Sequence, residues 1–362
     1  MVSRGQGHQP GHRPARRSDN RVSITDVARE AGVAISTVSA ALNGRDGVSA
    51  QTRERVTEIA DQLGWVPSMR GRSLVSRQAY AVGLLIQRPA SVLEADPFFA
   101  GFIGGIETVL DEANYALMLQ VAADRDRMLQ RVPQWARSEM VDGIFLTDVQ
   151  ADDSRFALVQ ELGLAAVAIN SGQDQPGVAT VHQQHLPGLR GLLQHLLGLG
   201  HVRIAHVSGP PGFVHSVERE QCWREALAGQ GLPAADPVPG DFTSEGGARA
   251  AERLLLSANP PTAVVCANDL SAIGFISRAT ALGFSVPGDV SVTGFDGIEL
   301  AGFSAPPLTT VQTAPHELGA VAAQLLLRLI STGEAQHREI PAAELVVRAS
   351  TAPPPDSRSR SE

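Results

Sequence analysis

Residues 23–43 have the sequence SITDVAREAGVAISTVSAALN, and this stretch predicts two short helices joined by a tight turn. In its first half, Val27, Ala28 and Ala31 recur at helical spacing, which indicates a helix with one buried face. Gly32 follows directly, and glycine is the residue that most often ends a helix. The chain therefore turns sharply at this point and begins a second helix.

The second half of this stretch and the residues after it predict two further helices. Ile35, Val38 and Leu42 share one face of the second helix, which Asn43-Gly44 closes. Ser49 is placed to cap a third helix. The buried stripe of this third helix would consist of Val56, Ile59, Ala60 and Leu63. Three small helices within about 45 residues form the minimal head of a helix-turn-helix DNA reader.

Beyond residue 80 the pattern changes to strand, glycine turn and helix, repeated along the chain. Strands are predicted at 81–86, 116–121, 143–147, 165–169, 204–207, 263–267 and 290–294. Apolar strands separated by amphipathic helices predict parallel sheets that are covered on both faces. The fold class is therefore an all-α head followed by an α/β domain, and such sheets bind ligands at the carboxyl ends of their strands.

The charge of the chain is distributed unevenly. Its formal net charge is −8, which by itself disfavours a nucleic-acid partner. Residues 1–79, however, carry 12 arginines against seven acidic residues, whereas residues 80–362 carry 18 against 31. A basic head on an acidic body is typical of a DNA reader. Residues 1–21 predict a disordered basic arm, which either adds attraction to phosphate or has no role.

The sequence also disfavours several other classes of protein. No stretch approaches the roughly 20 apolar residues that cross a bilayer, and the first residues lack the apolar core of a signal peptide, so we expect a cytoplasmic protein. Cys222 and Cys266 lie in apolar surroundings, which favours packed thiols over a disulfide or a zinc site. We expect neither a bound metal nor a cofactor.

Several motifs resemble the lactose-repressor (LacI/GalR) family of transcription regulators. The match runs in register through residues 23–43, VSAQTRERV at 48–56 and LGWVP at 63–67. It continues with DPFF at 96–99, VDG at 141–143, HLLGLGH at 195–201, AND at 267–269, GFD at 294–296 and PPLTT at 306–310. The resemblance covers roughly residues 22–350. It implies a repressor that binds a palindromic operator as a homodimer, under the control of a small-molecule effector such as a sugar or sugar derivative.

By this resemblance, residues 22–67 form the DNA-binding domain, and its second helix enters the major groove. Ile35, Ser36 and Ala40 would face the base edges. The residues that would hydrogen-bond DNA phosphates are Thr37, Ser39, Asn43, Ser49 and Thr52. Residues 68–79 correspond to the hinge helix of the family, in which Leu74 would insert into the minor groove. An ordinary linker that contains one leucine is the alternative.

The same resemblance implies that residues 80–350 are similar to periplasmic sugar-binding proteins, with two doubly wound lobes. Lobe 1 would hold about 80–181 and 312–332, and lobe 2 about 182–311 and 333–350. The chain would cross between the lobes near residues 181, 311 and 332. Residues 351–362 are rich in Pro, Ser and Arg, and we expect them to be disordered.

Seven positions match the effector pocket of the family, and their side chains suit a polyol. They are Phe98, Phe99, Asn170, Arg219, Phe242, Asn268 and Asp296. Other interpretations remain open at this point: the two adjacent phenylalanines fit a core, Arg219 fits an ion pair with Glu218 or Glu220, and Asp296 fits a turn. Departures from the family pattern at Gln184, His185, Cys222 and Pro315 leave the identity of the effector undecided.

Three other functional classes fit less well. An enzyme would need a reacting constellation, and the sequence lacks the common nucleophile, metal and phosphate-binding motifs. A periplasmic ligand carrier would require export and would leave the helix-turn-helix unexplained. An architectural DNA-binding protein would have no use for a ligand cleft. The sequence therefore favours an effector-controlled regulator that is not an enzyme.

Overall fold

The computed structural model describes residues 22–42, 44, 46–65, 78–88, 93, 96–122 and 124–355. The chain divides into two compact units between Arg77 and Gln78. The first unit contains three helices in its described part: α1 (Ile24–Ala31), α2 (Ile35–Leu42) and α3 (Ala50–Gln62). The predicted arm at residues 1–21 and nearly all of the predicted hinge lie outside the described residues.

In the head, Gly32 follows the end of α1 and Ser49 begins α3, as predicted. The Ser23 hydroxyl accepts a hydrogen bond from the Asp26 N–H, and the Asp26 carboxylate accepts one from the Ser23 N–H, which is a capping box. Ser49 caps α3 by accepting from the Thr52 N–H at 3.2 Å. The residues that pack together and close the core are Val27, Ala28, Ala31, Val38, Ala41, Val56 and Ala60. The prediction that Ile35 shares the buried face of α2 is wrong, because its side chain is 48% exposed.

The second unit contains twelve strands and nine helices among its described residues. The strands are β1 (Ala81–Ile86), β2 (Ala116–Val121), β3 (Gly143–Leu146), β4 (Ala165–Ile169), β5 (Ala179–Gln183), β6 (Ile204–Ser208), β7 (Val238–Pro239), β8 (Ala263–Cys266), β9 (Ser291–Asp296), β10 (Thr309–Gln312), β11 (His337–Ile340) and β12 (Glu344–Val346). The helices are α4 (Pro97–Ala113), α5 (Arg125–Arg137), α6 (Arg155–Glu161), α7 (Leu186–Gly198), α8 (Val214–Ala228), α9 (Ser244–Leu255), α10 (Asp269–Ala281), α11 (Glu299–Phe303) and α12 (Pro315–Thr332).

These elements form two lobes, each built on one six-stranded sheet. Lobe 1 has the strand order β11-β5-β4-β3-β1-β2, and all of its strands are parallel. Lobe 2 has the order β12-β10-β9-β8-β6-β7, and only β12 runs antiparallel to its neighbour. Apolar clusters lie on both faces of each sheet. Two doubly wound α/β lobes are the predicted fold class.

The chain crosses between the lobes three times. The first crossing lies between Gln183 and Leu186, and the second lies between Gln312 and Pro315. The third was predicted near residue 332 and is wrong, because β11 still pairs with β5 in lobe 1. This crossing lies between Ile340 and Glu344. The sequence HREI of β11 is polar because it forms the edge of the sheet, so it lacks the apolar run that marks a strand.

The prediction that residues 351–362 are disordered is wrong for its first two residues. The Thr351 hydroxyl lies 2.9 Å from His195 Nε2, and the Ala352 carbonyl lies 2.9 Å from His201 Nε2. The Ala352 N–H also donates to the Ser291 hydroxyl. Both free cysteines are buried, as predicted. Throughout the described part of the chain, each helix is too short or too polar to cross a membrane.

Candidate functional site

A cavity lies between the two lobes, at the carboxyl ends of their strands. It encloses about 760 Å³, including the part that is open to solvent. All seven pocket positions predicted from the motifs line it: Phe98, Phe99, Asn170, Arg219, Phe242, Asn268 and Asp296. A cleft at the carboxyl ends of the strands is the usual place for a small-molecule ligand in α/β proteins.

Arg219 extends into this cavity from α8. Its guanidinium carbon lies 3.6 Å from the centre of the Phe295 ring, and its Nη1 donates to the Ala267 carbonyl oxygen at 2.6 Å. The Nε atom is buried and has no hydrogen-bond partner. The hydrogen bond from Nη1 therefore fixes the guanidinium, while Nε remains able to donate to a ligand. Arg219 does not form the solvated ion pair that the sequence left open as an alternative.

Asp296 ends β9 in an unusual backbone conformation. Its φ angle is 111°, and its carbonyl oxygen accepts hydrogen bonds from both the N–H and the hydroxyl of Thr313. A Cβ atom at the following Gly297 would lie 2.7 Å from Gln312 Cα, so only glycine fits there. Burial raises the pKa of the Asp296 carboxyl well above its ordinary value, and the nearby charge of Arg219 opposes this shift.

Asn268 joins two segments of the cavity wall. As the N-cap of α10, its Oδ1 accepts from the Ser271 N–H, and its Nδ2 donates to the Phe242 carbonyl at 2.9 Å. Phe242 itself adopts a positive φ of 63°. Across the cleft, Asn170 Oδ1 accepts from the Gln183 N–H at 2.9 Å. These bonds fix the amides before any ligand arrives.

A second arginine, Arg88, follows β1 and was not found from the motifs. It forms a bidentate pair with Asp148, with distances of 2.8 Å from Nε to Oδ2 and 2.6 Å from Nη2 to Oδ1. Its guanidinium also lies over three rings, 5.2 Å from Phe99, 5.8 Å from Phe213 and 4.8 Å from Phe242. Burial alone would raise the pKa of Asp148, but the charge and hydrogen bonds of Arg88 outweigh it and hold this pKa below its ordinary value.

Asp96 lies beside this pair and begins α4. Its carboxylate accepts from the Phe98 N–H at 3.1 Å, and its Oδ2 lies 3.8 Å from Arg88 Nη1. Burial raises the pKa of Asp96, although the Phe98 N–H and the Arg88 charge oppose the shift. Phe99 is only 2% exposed and packs in the lobe 1 core while it also lines the cavity. The two interpretations of this aromatic pair are thus compatible.

Two histidines complete the lining as neutral side chains. Burial, together with the charge of Arg219, lowers the pKa of both His185 and His215 to about 3. The His215 ring is stacked between Phe213 and Phe242, with centroid distances of 5.6 and 5.8 Å. Neither imidazole supplies a positive charge at neutral pH.

The two lobes also contact each other at one rim of the cleft. The Val214 N–H donates to the Val149 carbonyl at 2.9 Å, and Gln150 and Phe213 face each other as an isolated antiparallel pair. We call these four residues the rim bridge. Phe213 of the rim bridge also lies against Arg88, which lines the cavity.

The DNA-reading positions lie on the helices of the first unit. Ile35 and Ser36 are exposed at the start of α2, and Ala40, one turn later, is half-buried. Thr37 and Ser39 are half-buried on the same helix. Ser49 and Thr52 lie at the start of α3, with their hydroxyl oxygens 2.9 Å apart. Asn43 and Leu74 lie outside the described residues.

The motif comparison missed several charged and polar residues of the cavity, which are Arg88, Asp96, Thr147, Asp148, Gln183, His185 and His215. One signal in the sequence points to two of them. Arg88 and Asp148 each lie two residues beyond the end of a buried strand, where parallel sheets place their ligand sites. Within the described ranges, no three His, Cys, Asp or Glu side chains are arranged to hold a metal ion.

Comparison with known proteins identifies both units. Residues 23–68 match the model of bacterial regulatory proteins of the lacI family, and residues 193–351 match a periplasmic binding protein-like domain. The regulator CelR of Thermobifida fusca is 34% identical over 318 residues, which cover 87% of this chain and 93% of CelR. The repressor CytR of Escherichia coli K12 is 31% identical over 344 residues, which cover 93% of this chain and 98% of CytR.

Two solved structures extend this comparison. The CelR–cellobiose complex superposes with a TM-score of 0.69 at 32% identity, and the match covers 91% of this chain and all of that one. The lac repressor dimer bound to operator superposes with a TM-score of 0.80 at 26% identity, over 92% of this chain and all of that one. These relatives are transcription regulators and not enzymes, and this chain belongs to the LacI family of bacterial regulatory proteins.

Proposed function

We propose that this LacI-family regulator acts in the cytoplasm as a repressor, binds a palindromic operator as a homodimer, and changes its operator affinity when a sugar or sugar derivative enters the inter-lobe cavity. The observation that carries the effector part is the convergence of seven motif positions on one cavity. The solved relatives support it, since one is a complex with cellobiose and another is a dimer on operator DNA.

The lining has the chemistry that hydroxyl groups require. Arg219 supplies guanidinium donors, Asp296 supplies a carboxyl, and the phenylalanine rings supply apolar faces for the C–H side of a sugar. The cavity lies between the lobes, so a ligand contacts both of them. It therefore shifts the equilibrium between two lobe arrangements by its difference in affinity for them.

In the head, we assign base reading to Ile35, Ser36 and Ala40 at the start of α2. Phosphate contacts are assigned to Thr37, Ser39, Asn43, Ser49 and Thr52. These hydroxyls and amides set the register of the head on DNA, and the Leu74 side chain inserts into the minor groove as an apolar wedge. A dimer follows because a palindrome presents two half-sites to two heads related by a two-fold axis.

The test combines site selection with a sugar panel. The operator is first obtained by selecting bound sequences from random DNA with the full-length protein. Fluorescence anisotropy then measures operator affinity with and without each sugar. We expect Arg219→Ala and Asp296→Ala to retain effector-free operator binding and to lose the sugar response, because they delete ligand contacts and leave the reading head intact.

Arg224→Ala is the matched control, because Arg224 lies on the same helix as Arg219 but pairs with Glu220 outside the cavity. It should respond to the sugar like the unmodified protein. A full response in Arg219→Ala, or the absence of any response to sugars in the unmodified protein, contradicts the effector assignment. Light scattering that shows a stable monomer contradicts the dimer.

A further inference from the structure

Arg88 belongs to lobe 1, but two of the three rings around its guanidinium belong to lobe 2. The guanidinium carbon lies 4.8 Å from the centre of the Phe242 ring and 5.8 Å from the centre of the Phe213 ring. A cation within about 6 Å of a ring centre is attracted by the π electrons, and most strongly where water is excluded. The Arg88 side chain is only 11% exposed. The three side chains therefore form a buried charged contact across the cleft.

The lobe 1 side of this contact is held in place by a network of hydrogen bonds. Asp148 accepts two of them from the Arg88 guanidinium, at 2.8 and 2.6 Å, and so fixes its plane. The Asp148 carbonyl oxygen accepts from Arg155 Nη2 at 3.2 Å, and Arg155 is itself paired with Asp153 at 2.6 Å. The Asp153 carboxylate also accepts from the Gln150 N–H at 3.2 Å. The loop between β3 and α6 thus anchors the guanidinium and also carries the lobe 1 half of the rim bridge.

The lobe 2 side is equally constrained. Phe242 has a φ angle of 63°, in the left-handed region that bulky residues rarely adopt, and Asn268 Nδ2 fixes this backbone by donating to the Phe242 carbonyl at 2.9 Å. A Cβ atom at Gly209 would overlap the Phe242 ring, so the ring occupies space that only glycine leaves open. The His215 ring stacks between Phe242 and Phe213. The lobe 2 rings therefore form one stack beside the guanidinium.

We infer that Arg88 and the lobe 2 rings of Phe213 and Phe242 form a latch, called here the arginine latch, which holds the two lobes in their observed arrangement without an effector. The latch sets the free-energy difference between the lobe arrangements, which an effector must alter through its difference in affinity for them. Arg88 and Phe213 are thus positioning residues that act through the lobes, and Phe213 is not among the described residues that line the cavity. The link to the effector rests on the proposed function, whereas the latch itself requires neither sugar nor DNA.

The first experiment measures the latch through an amide of the opposite lobe. Because the Val214 N–H donates to the Val149 carbonyl, its exchange with solvent requires the lobes to part at this rim. Hydrogen exchange of the full-length protein, without sugar or DNA, is followed by mass spectrometry with fragmentation to single residues. We expect Arg88→Lys to accelerate exchange at Val214 at least about threefold, because lysine keeps the charge but lacks the planar guanidinium that binds Asp148 and lies against the rings. An unchanged rate overturns the latch.

The second experiment changes the lobe 2 side of the latch. Phe213→Leu removes the aromatic ring and keeps an apolar side chain, whereas Phe213→Tyr keeps the ring. We expect exchange at Val214 to be at least about threefold faster in Phe213→Leu and to stay at the unmodified rate in Phe213→Tyr. In Arg88→Lys/Phe213→Leu the acceleration should be smaller than the product of the two single effects, because both substitutions weaken one contact.

Phe284→Leu is the control, since Phe284 packs in the lobe 2 core and does not line the cavity. Its exchange at Val214 should match that of the unmodified protein. Equal acceleration in Phe213→Leu and Phe213→Tyr, or in Phe284→Leu, overturns the latch and leaves the effector assignment in place. The absence of any response in the sugar panel contradicts the proposed function instead, and does not alter these exchange rates.

Discussion

Asp269 is buried beneath the effector cavity and holds the loop that carries Asp296. Its Oδ2 accepts from the Ile298 N–H at 2.8 Å, and its Oδ1 accepts from the Thr310 hydroxyl at 2.5 Å. Burial raises the pKa of Asp269 to about 7, although these hydrogen bonds oppose the shift. In an unfolded chain the same group has a pKa of about 3.9.

This difference predicts a pH-dependent contribution to stability. Because the folded state holds the proton more tightly than the unfolded state does, the contribution of Asp269 is fully present below about pH 4 and declines as pH rises through 7. Asp269→Asn has no such proton. We therefore expect the melting temperature of the unmodified protein to fall relative to that of Asp269→Asn as the pH is raised from 5 to 8. Calorimetry on both proteins measures this difference. A constant or increasing difference would contradict a raised pKa.

Ala40 determines a second prediction at the residue scale. A methyl group offers only an apolar contact to a thymine methyl, so the operator position that faces Ala40 should be weakly specified or should favour thymine. In Ala40→Arg, we expect a guanine preference there worth about 1–3 kcal/mol, with little change in salt dependence because the new contact is to a base. Site selection on both proteins measures this. A strong guanine requirement in the unmodified protein would show that the assignment is wrong.

The two arginines of the cavity illustrate how far single residues could be predicted. Arg219 was placed by its position in a family motif, and the structure brings it into the cavity. Arg88 and Asp148 belong to no motif, and they lie 60 residues apart in sequence. Only the pairing of β1 with β3 brings them together, and no local pattern encodes that pairing.

At the scale of elements, α4 and α12 pack at unusually short distance in lobe 1. A Cβ atom at Gly105 would lie 1.9 Å from the His316 carbonyl oxygen, and one at Gly319 would lie 2.1 Å from the Phe102 carbonyl oxygen. Backbone therefore meets backbone at both glycines. Any larger residue would force the two helices apart.

This packing predicts opposite effects for two neighbouring glycines of α4. Gly105→Ala should lower the free energy of unfolding by about 2–3 kcal/mol, because the clash is with backbone and cannot be relieved by a rotamer change. Gly104→Ala, whose Cβ would lie 3.8 Å from the nearest atom, should instead raise it by up to about 1 kcal/mol through helix propensity. Urea denaturation followed by circular dichroism distinguishes them. Equal effects would contradict the close approach of the helices.

The strands that were predictable are those with a mainly apolar sequence, including the edge strand β2. The apolar runs of β1, β2, β3, β4, β6, β8 and β9 were all found from sequence, and their bounds agree within about two residues. β5 and β10 were missed because threonine, glutamine and histidine interrupt them. β11 and β12 are short edge strands, and their place is decided by partners more than 30 residues away. This is why the third crossing could not be located.

At the scale of the whole molecule, the rim bridge offers a way to fix the two lobes in their observed arrangement. Gln150 and Phe213 face each other as an antiparallel pair, and the neighbouring hydrogen bond runs from the Val214 N–H to the Val149 carbonyl. Gln150 and Phe213 are therefore a non-hydrogen-bonded pair. In such pairs the two Cα atoms lie about 4.5 Å apart. Disulfides form at such distances. Burial raises the pKa of the native thiols Cys222 and Cys266, which keeps them unreactive.

We therefore expect a disulfide to form in the double variant Gln150→Cys/Phe213→Cys under mild oxidation. In the oxidised protein, operator affinity should change less than about twofold when effector is added, because an effector acts only by shifting lobes that are free to move. The reduced form of the same variant is the control and should recover the response. Anisotropy measures both, and a full response in the oxidised form would contradict lobe movement as the signal.

The route of the chain through the molecule has a consequence for its biosynthesis. The head closes its core within residues 22–65, whereas lobe 1 needs α12 and β11, and lobe 2 needs β12 and the hydrogen bonds of Ala352. Ribosomes add about 5–20 residues per second, and domains fold as they emerge. Each nascent molecule thus displays a folded DNA reader for many seconds before either half of its sensor is complete. A frameshift or nonsense mutation between residues 78 and 340 consequently leaves a product that has the complete head but no effector control.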